Sequence, residues 1–383
     1  MNTLSLVIFI LAFGGMVIIH EFGHFIVARW CGIEVEEFGI GLPTPGAITL
    51  FTWMGTRFTL NWLPLGGFVR PKGENDPTVE GGLAAASPWK RLAVLFAGPT
   101  MNLITAVILF SVIIAISGGI ITYQPANSPT AKILITNVLP DSPAKQAGMQ
   151  VGDVLVSAAG QTLKNSEDIR TIVSAHSEQP VAFVVERNGK QIELSVIPKF
   201  NQAEGRPLIG IEYCGGCIFK PITSVGENLQ TSLRYTGNQV YALVTLPVNL
   251  IRGTIAPEQG RMVGLKGIYD IMKQSVTSDV QTSQQAASAT ATSSSSSSGP
   301  YNKPVQTLFL IAALSISLGV FNLFPFPALD GGRIIFVIPE LLFRRRVPAR
   351  FENIIHGLGM AVLLLFMLYV NVMDFINPVV MPK

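Results

Sequence analysis

The chain has 383 residues, of which 49% are hydrophobic and 13% charged. Soluble globular domains carry about 25% charged residues, so the composition points to a membrane protein. A net charge of +3 without a basic tract gives no sign of a nucleic-acid partner, and three cysteines are too few for a disulfide framework.

Spanning a bilayer takes about 20 apolar helical residues. Four runs meet that length with their flanks: 4–28, 92–116, roughly 308–326, and 357–372. No Lys or Arg precedes the first, and no small-residue cleavage site closes it, so it reads as a retained span and not as a signal peptide. Arg29, Arg57, Arg70, Lys72, Lys90 and Arg91 follow span one, and Arg333, Arg344, Arg345, Arg346 and Arg350 follow span three. With four spans both basic segments share the cytoplasmic side, and the region between spans two and three faces away from it.

Between spans one and two, "AITLFTWMGTRFTLNWLPLGGFV" alternates apolar and polar residues around a hairpin expected at Met54–Thr56. It reads either as a small cytoplasmic sheet or as a hairpin dipping into the membrane and packed on the helices. Residues 131–200 read as a soluble α/β module, with a hairpin turned at Asn188-Gly189. Residues 201–274 read as a helical region on the same non-cytoplasmic side. Residues 275–305, containing "SATATSSSSSS", read as a flexible linker. The resulting boundaries are spans over 1–30, 91–117, 306–332 and 354–377, a hairpin region over 31–90 and a basic loop over 333–353.

The chemistry concentrates in "HEFGH". His20 and His24 stand at i and i+4, on one helix face, where two imidazoles can share one Zn²⁺, with Glu21 beside them to take a proton from water. Ionisable groups inside a span are costly and functional by default. From Leu4 to His20 is roughly 24 Å of helix at 1.5 Å per residue, which sets the site just below the cytoplasmic face. Catalytic zinc takes three protein ligands. Glu34, Glu36 and Glu37 are available but lie in a strand-like segment. Asp330, in "NLFPFPALDGGR", is the better third ligand. Pro325 and Pro327 break the helix before it, and Gly331 and Gly332 let the chain turn closely around a metal.

These motifs resemble the site-2 protease family of intramembrane zinc metalloproteases. With "GPTMN" (98–102) and "PLGGFVRPKGE" (64–74) added, they look closest to the bacterial regulator-of-sigma-E protease branch. "SPAKQAGMQVGD" is similar to the PDZ pattern of bacterial proteases. The resemblance implies a four-helix membrane core with a cytoplasm-side membrane-associated β-hairpin and an inserted extracytoplasmic PDZ-like domain. It implies zinc on His20, His24 and Asp330, and Glu21 as general base. Asn322, Asn102, Pro325 and Pro327 would contact substrate. It further implies single-span substrates already shortened by an upstream site-1-type protease, such as anti-sigma factors or remnant signal peptides, and a home in the bacterial inner membrane.

Two rival readings are a metal-binding transporter and a non-proteolytic PDZ scaffold. The first would want polar or acidic residues in most spans, of which span four offers few, and the second has no need of Glu21. Cys214 and Cys217 form a C-x-x-C read as a local disulfide or free thiols. His356 is read as an interfacial or bundle residue and not a ligand, and His176 as a surface residue.

Overall fold

The computed structural model describes the chain except residues 1, 45, 75, 124–131, 140–141, 188, 203–204, 255–261, 293–302 and 378–383. Two compact units emerge. The first comprises Met1–Ile113, Leu229–Asp279 and Gln306–Lys383, and the second Ile114–Asn228 and Val280–Val305.

In the first unit, α1 (Asn2–Trp30) leads into four strands, β1 (Val35–Leu42), β2 (Ile48–Trp53), β3 (Thr56–Leu60) and β4 (Leu63–Pro71), ordered β2-β3-β1-β4. β2 and β3 form the expected hairpin. Met54 and Gly55 carry positive φ angles of 50° and 80°, the backbone of a two-residue turn whose twist suits paired strands. β1 pairs β3 in parallel and β4 antiparallel, so the region is a sheet built on the hairpin. Phe25 of α1 packs on Phe38 and Phe58 of this sheet, within a cluster that includes Ile33, Val35 and Val94. Every residue of β2 is exposed, including Ile48, Leu50, Phe51 and Trp53.

Then come α2 (Pro88–Ser117), α5 (Val225–Ile251), α6 (Leu265–Thr292), α7 (Gln306–Asn322), α8 (Asp330–Phe343) and α9 (Ala349–Ile376), with α3 and α4 lying in the second unit. Among the described residues, three helices, α1, α2 and α9, are long and apolar enough to cross a membrane. α7 is apolar but has 17 residues, roughly 26 Å at 1.5 Å per residue, against a hydrocarbon core of about 30 Å.

Three sequence boundaries need correction. The expected span to 332 and loop from 333 are instead two helices around a turn at 323–329. Pro325 and Pro327 stop α7, and apolar Ile334, Val337, Ile338 and Leu341 then recur at helical spacing to start α8. Arg333 therefore sits in a helix, paired with Glu74. The expected linker from 275 is helical through Thr292. Buried Met272 and Val276, four residues apart, carry the α6 face past Ser275, and the helix runs on to Thr292; 293–302 lie outside the described residues. The expected helical region from 201 begins with strands, and helix starts only at Val225.

In the second unit, β6 (Ile133–Val138), β7 (Val154–Ala158), β8 (Gln161–Thr162), β9 (Val181–Arg187), β10 (Lys190–Val196) and β13 (Ile211–Gly215) form one sheet, its main path ordered β10-β9-β7-β6-β13. Helices α3 (Pro143–Gln146) and α4 (Ser166–Ala175) accompany it. Its apolar core includes Ile135, Phe183, Val185 and Val196, each fully buried. Asn165 opens α4 with a capping box closed by Asp168, and buried Asp153 receives Arg187 at 2.7 Å. The β9–β10 hairpin forms as expected; Asn188 of its turn lies outside the described residues. β11 (Lys199–Asn201) pairs β12 (Arg206–Leu208), and β5 (Gly119–Tyr123) pairs β14 (Cys217–Pro221). Cys214 and Cys217 are disulfide-bonded.

Candidate metal centre

α1 places the imidazoles one helical turn apart, with ring centroids 4.8 Å from each other. Asp330, first residue of α8, reaches both. Its Oδ2 lies 3.1 Å from His20 Nε2 and 3.3 Å from His24 Nε2, and the two Nε2 atoms are 3.2 Å apart. Among the described residues this is the one cluster of three His, Cys, Asp or Glu side chains arranged to hold an ion.

The donor set fits zinc. A tetrahedral ion with ligands at about 2.0–2.1 Å spaces its donors roughly 3.3–3.4 Å apart, close to what these three atoms show. The outer nitrogens are also prepared. His24 Nδ1 donates to the Val94 carbonyl at 2.7 Å, which leaves Nε2 free as the binding nitrogen. His20 Nδ1 faces the Asn102 amide at 3.1 Å. Asn102 is fully buried, and its Oδ1 has no partner among the described residues. With a metal on His20 Nε2, the Nδ1 proton needs an acceptor. A half-turn of the amide presents Oδ1 to it.

α2 is brought in closely enough to matter. A Cβ at Gly98 would lie 2.8 Å from His20 Nε2 and 2.7 Å from His24 Cε1, so any side chain there would fill the space the ligands face. Gly319 of α7 meets the Pro99 carbonyl in the same way, at 2.9 Å, and Ser315 donates to the Asn102 carbonyl at 2.9 Å. These contacts fix the α2 and α7 backbones against each other behind Asn102.

Glu21 sits over β4. A Cβ at Gly67 would lie 3.5 Å from its Cγ. β4 is an edge strand. Of the other carboxylates considered from sequence, Glu36 is exposed on β1 and the other two are occupied elsewhere. Glu37 is buried in the sheet, accepting from Thr59 at 2.8 Å and pairing with Arg70 at 3.0 Å. Glu34 pairs with Lys72 at 2.8 Å, which holds its carboxyl below the usual range. Asn322 closes α7 and donates to the Leu318 carbonyl at 3.0 Å, not to the histidines. Pro325 and Pro327 lie in the turn before Asp330.

Gly331 and Gly332 have a different reason from the one read in sequence. Neither has positive φ. They are glycines because the backbone of 323–327 lies against them: a Cβ at Gly331 would strike the Leu323 and Phe324 carbonyls, and one at Gly332 would come within 3.0 Å of Pro327 Cα. Sequence reasoning also missed the Val94 carbonyl. A backbone acceptor leaves no residue signature.

Residues 8–366 match the family described as Peptidase family M50. A Clostridium perfringens protein whose name marks it as an inferred zinc metalloprotease is 30% identical over 97% of this chain and 98% of its own length. A Campylobacter jejuni protein named in the same terms is 31% identical over 95% of this chain and 91% of its own. Among solved structures, the PDZ domain of an SdrC-like protein from Listeria monocytogenes is 20% identical over 21% of this chain and 85% of its own, with a TM-score of 0.20. A likeness that slight carries no weight here.

Proposed function

The chain belongs to peptidase family M50 and is an intramembrane zinc metalloprotease; from that premise we propose that His20, His24 and Asp330 hold the zinc and that Glu21 is the general base for peptide-bond hydrolysis. The observation that carries the assignment is the 3.1–3.3 Å mutual spacing of the three donor atoms.

Bound zinc supplies Lewis-acid chemistry, polarising a carbonyl and lowering the pKa of water toward about 7. The chain's own groups do the rest. The Glu21 carboxylate takes the proton of the attacking water and returns it to the leaving amine. Val94 and Asn102 hold the two imidazoles in the tautomer that leaves Nε2 for the metal. The edge of β4, passing beside Glu21, offers backbone groups to an unwound substrate segment, which pairs with it as an added strand. Prolines along that edge should slow cleavage without releasing zinc; unaltered cleavage would count against strand addition.

The substrates are single-span membrane proteins already shortened by an upstream protease, cut in or near their membrane segment. The chain has four spans, with α7 as the fourth, and resides in a bacterial inner membrane with the metal near the cytoplasmic face. Residues 131–200, within the second unit, are a PDZ-like domain outside the cytoplasm that excludes bulky ectodomains. Asn322, Pro325 and Pro327 line the substrate's path.

The test uses full-length protein in detergent and a reporter with one transmembrane helix and a trimmed ectodomain. Wild type is compared with Glu21→Gln, and cleavage and bound zinc are read together. Loss of cleavage by 10²–10⁴-fold with zinc retained is the expected result. Equal cleavage by both proteins would sink the mechanism.

A further inference from the structure

Each imidazole of the metal set has an orienting partner of its own, the Val94 carbonyl for His24 and the Asn102 amide for His20. Asp330 has none. Among the described residues its carboxylate bonds only to the two histidines. Its aim must therefore come from its backbone, and that backbone leaves an unusual turn. Ala328, two residues earlier, holds φ at +78°, in the left-handed region that a residue with a Cβ rarely adopts. Such a conformation persists where the surroundings hold it.

α9 does the holding. His356 Nδ1 accepts a hydrogen bond from the Ala328 backbone N–H at 2.8 Å. The imidazole is thus neutral, with its proton on Nε2. Three residues on, Gly359 lies against the same turn, where a Cβ would come within 2.9 Å of the Pro327 carbonyl. Leu329, which precedes α8, adds no side-chain cap, so the histidine is the side-chain acceptor at this turn.

We propose that His356 is a positioning residue for the metal ligand Asp330, acting through the backbone of Ala328. The proposal rests on the assignment of Asp330 to the zinc. Removing the acceptor frees the turn, the carboxylate loses its aim, and the site keeps two imidazoles with a poorly placed third ligand. The effect should fall on metal affinity first and on turnover as a consequence. Partners of this kind, one step removed from a metal, typically contribute 10–100-fold to affinity.

The experiment uses full-length protein in detergent, with zinc affinity measured by chelator competition and the absorption spectrum of added Co²⁺ read alongside. Three variants are compared: His356→Ala, His356→Asn and Asp330→Ala. An asparagine carries its Oδ1 near the position of the histidine Nδ1 and restores the acceptor. The expected result is a loss of at least tenfold in zinc affinity and an altered Co²⁺ spectrum for His356→Ala. His356→Asn should return to within about threefold of wild type. Asp330→Ala tests the ligand assignment separately, because unchanged affinity there would overturn that assignment and not merely the role of His356. If Asp330→Ala weakens binding while His356→Ala does not, positioning is overturned; so too if His356→Asn is as weak as His356→Ala. Should His356→Ala fail to fold, folded His356→Asn carries the test, and loss of tight binding in it overturns the proposal.

Discussion

The sheet core of the second unit and the metal centre of the first are held together by different physics. In the second unit, one apolar core built around Phe183 and Ile135 carries a six-stranded sheet. Burial there is non-directional, and a change in one side chain is paid for in volume. In the first, the metal centre is organised by directional contacts between segments far apart. His20 meets Asp330 310 residues away, Asn102 meets His20 across 82, and Ala328 meets His356 across 28. Polar groups with few alternatives aim the donors, and small residues at 98 and 319 let the helices come near enough. A core tolerates approximate shape, whereas a metal site tolerates little error in position.

That contrast can be broken from either side. The largest effect is expected from Phe183→Ala. The ring is fully buried, and its removal should cost the second unit about 3–5 kcal/mol. Amide hydrogen exchange on the full chain should show β7, β9 and β10 opening, while zinc affinity stays within about threefold of wild type. A large fall in affinity would mean that the two kinds of stabilisation are not separable.

Gly98→Ala is the reverse experiment. One methyl group against His20 and His24 should weaken zinc binding by about 100-fold or more, beyond the usual effect of losing an orienting partner. Hydrogen exchange in the second unit should be unchanged. Asn102→Ala comes next, with a loss of about 10–100-fold in zinc affinity, because the His20 Nδ1 proton loses its acceptor. Asn102→Asp, which keeps an oxygen there, should lose less; an equal loss would argue that Asn102 acts by packing alone.

The smallest effect belongs to the exposed Glu34–Lys72 pair. The Lys72 hydrogen bond lowers the folded-state pKa of Glu34, so its contribution is present above the ordinary carboxylate value and fades as pH falls through the lowered one. Titration of Glu34 followed by NMR should show a midpoint below that of Glu34 in a Lys72→Ala variant. The difference should shrink at 1 M salt, where screening acts over about 3 Å.

Much of this protein is legible in its sequence, because much of it is local. HEFGH needs only helical periodicity to bring two imidazoles to one face. Met54-Gly55 needs only its two positive φ values to turn a hairpin, and the apolar length of α1, α2 and α9 is itself the signal for a span. Asp330 is recognisable as a ligand candidate from its motif, yet the apolar run before it reads as a span ending there, and in the structure it opens a helix. The continuation of α6 past Ser275 was hidden by a Ser- and Ala-rich composition that reads as linker until Met272 and Val276 are seen to be buried.

What only the tertiary structure decided are the roles that depend on a neighbour distant in sequence. Gly98 is small because two imidazoles face it, Gly331 because a carbonyl eight residues back lies on it, and Glu37 is drawn away from the metal by Thr59 and Arg70. His356 reads as an ordinary residue of a membrane helix until the chain folds it onto Ala328. The physical reason is the same throughout. Periodicity and turn chemistry act over a few residues and are written in the local string, whereas a hydrogen bond or a close approach between helices depends on coordinates that the whole fold supplies.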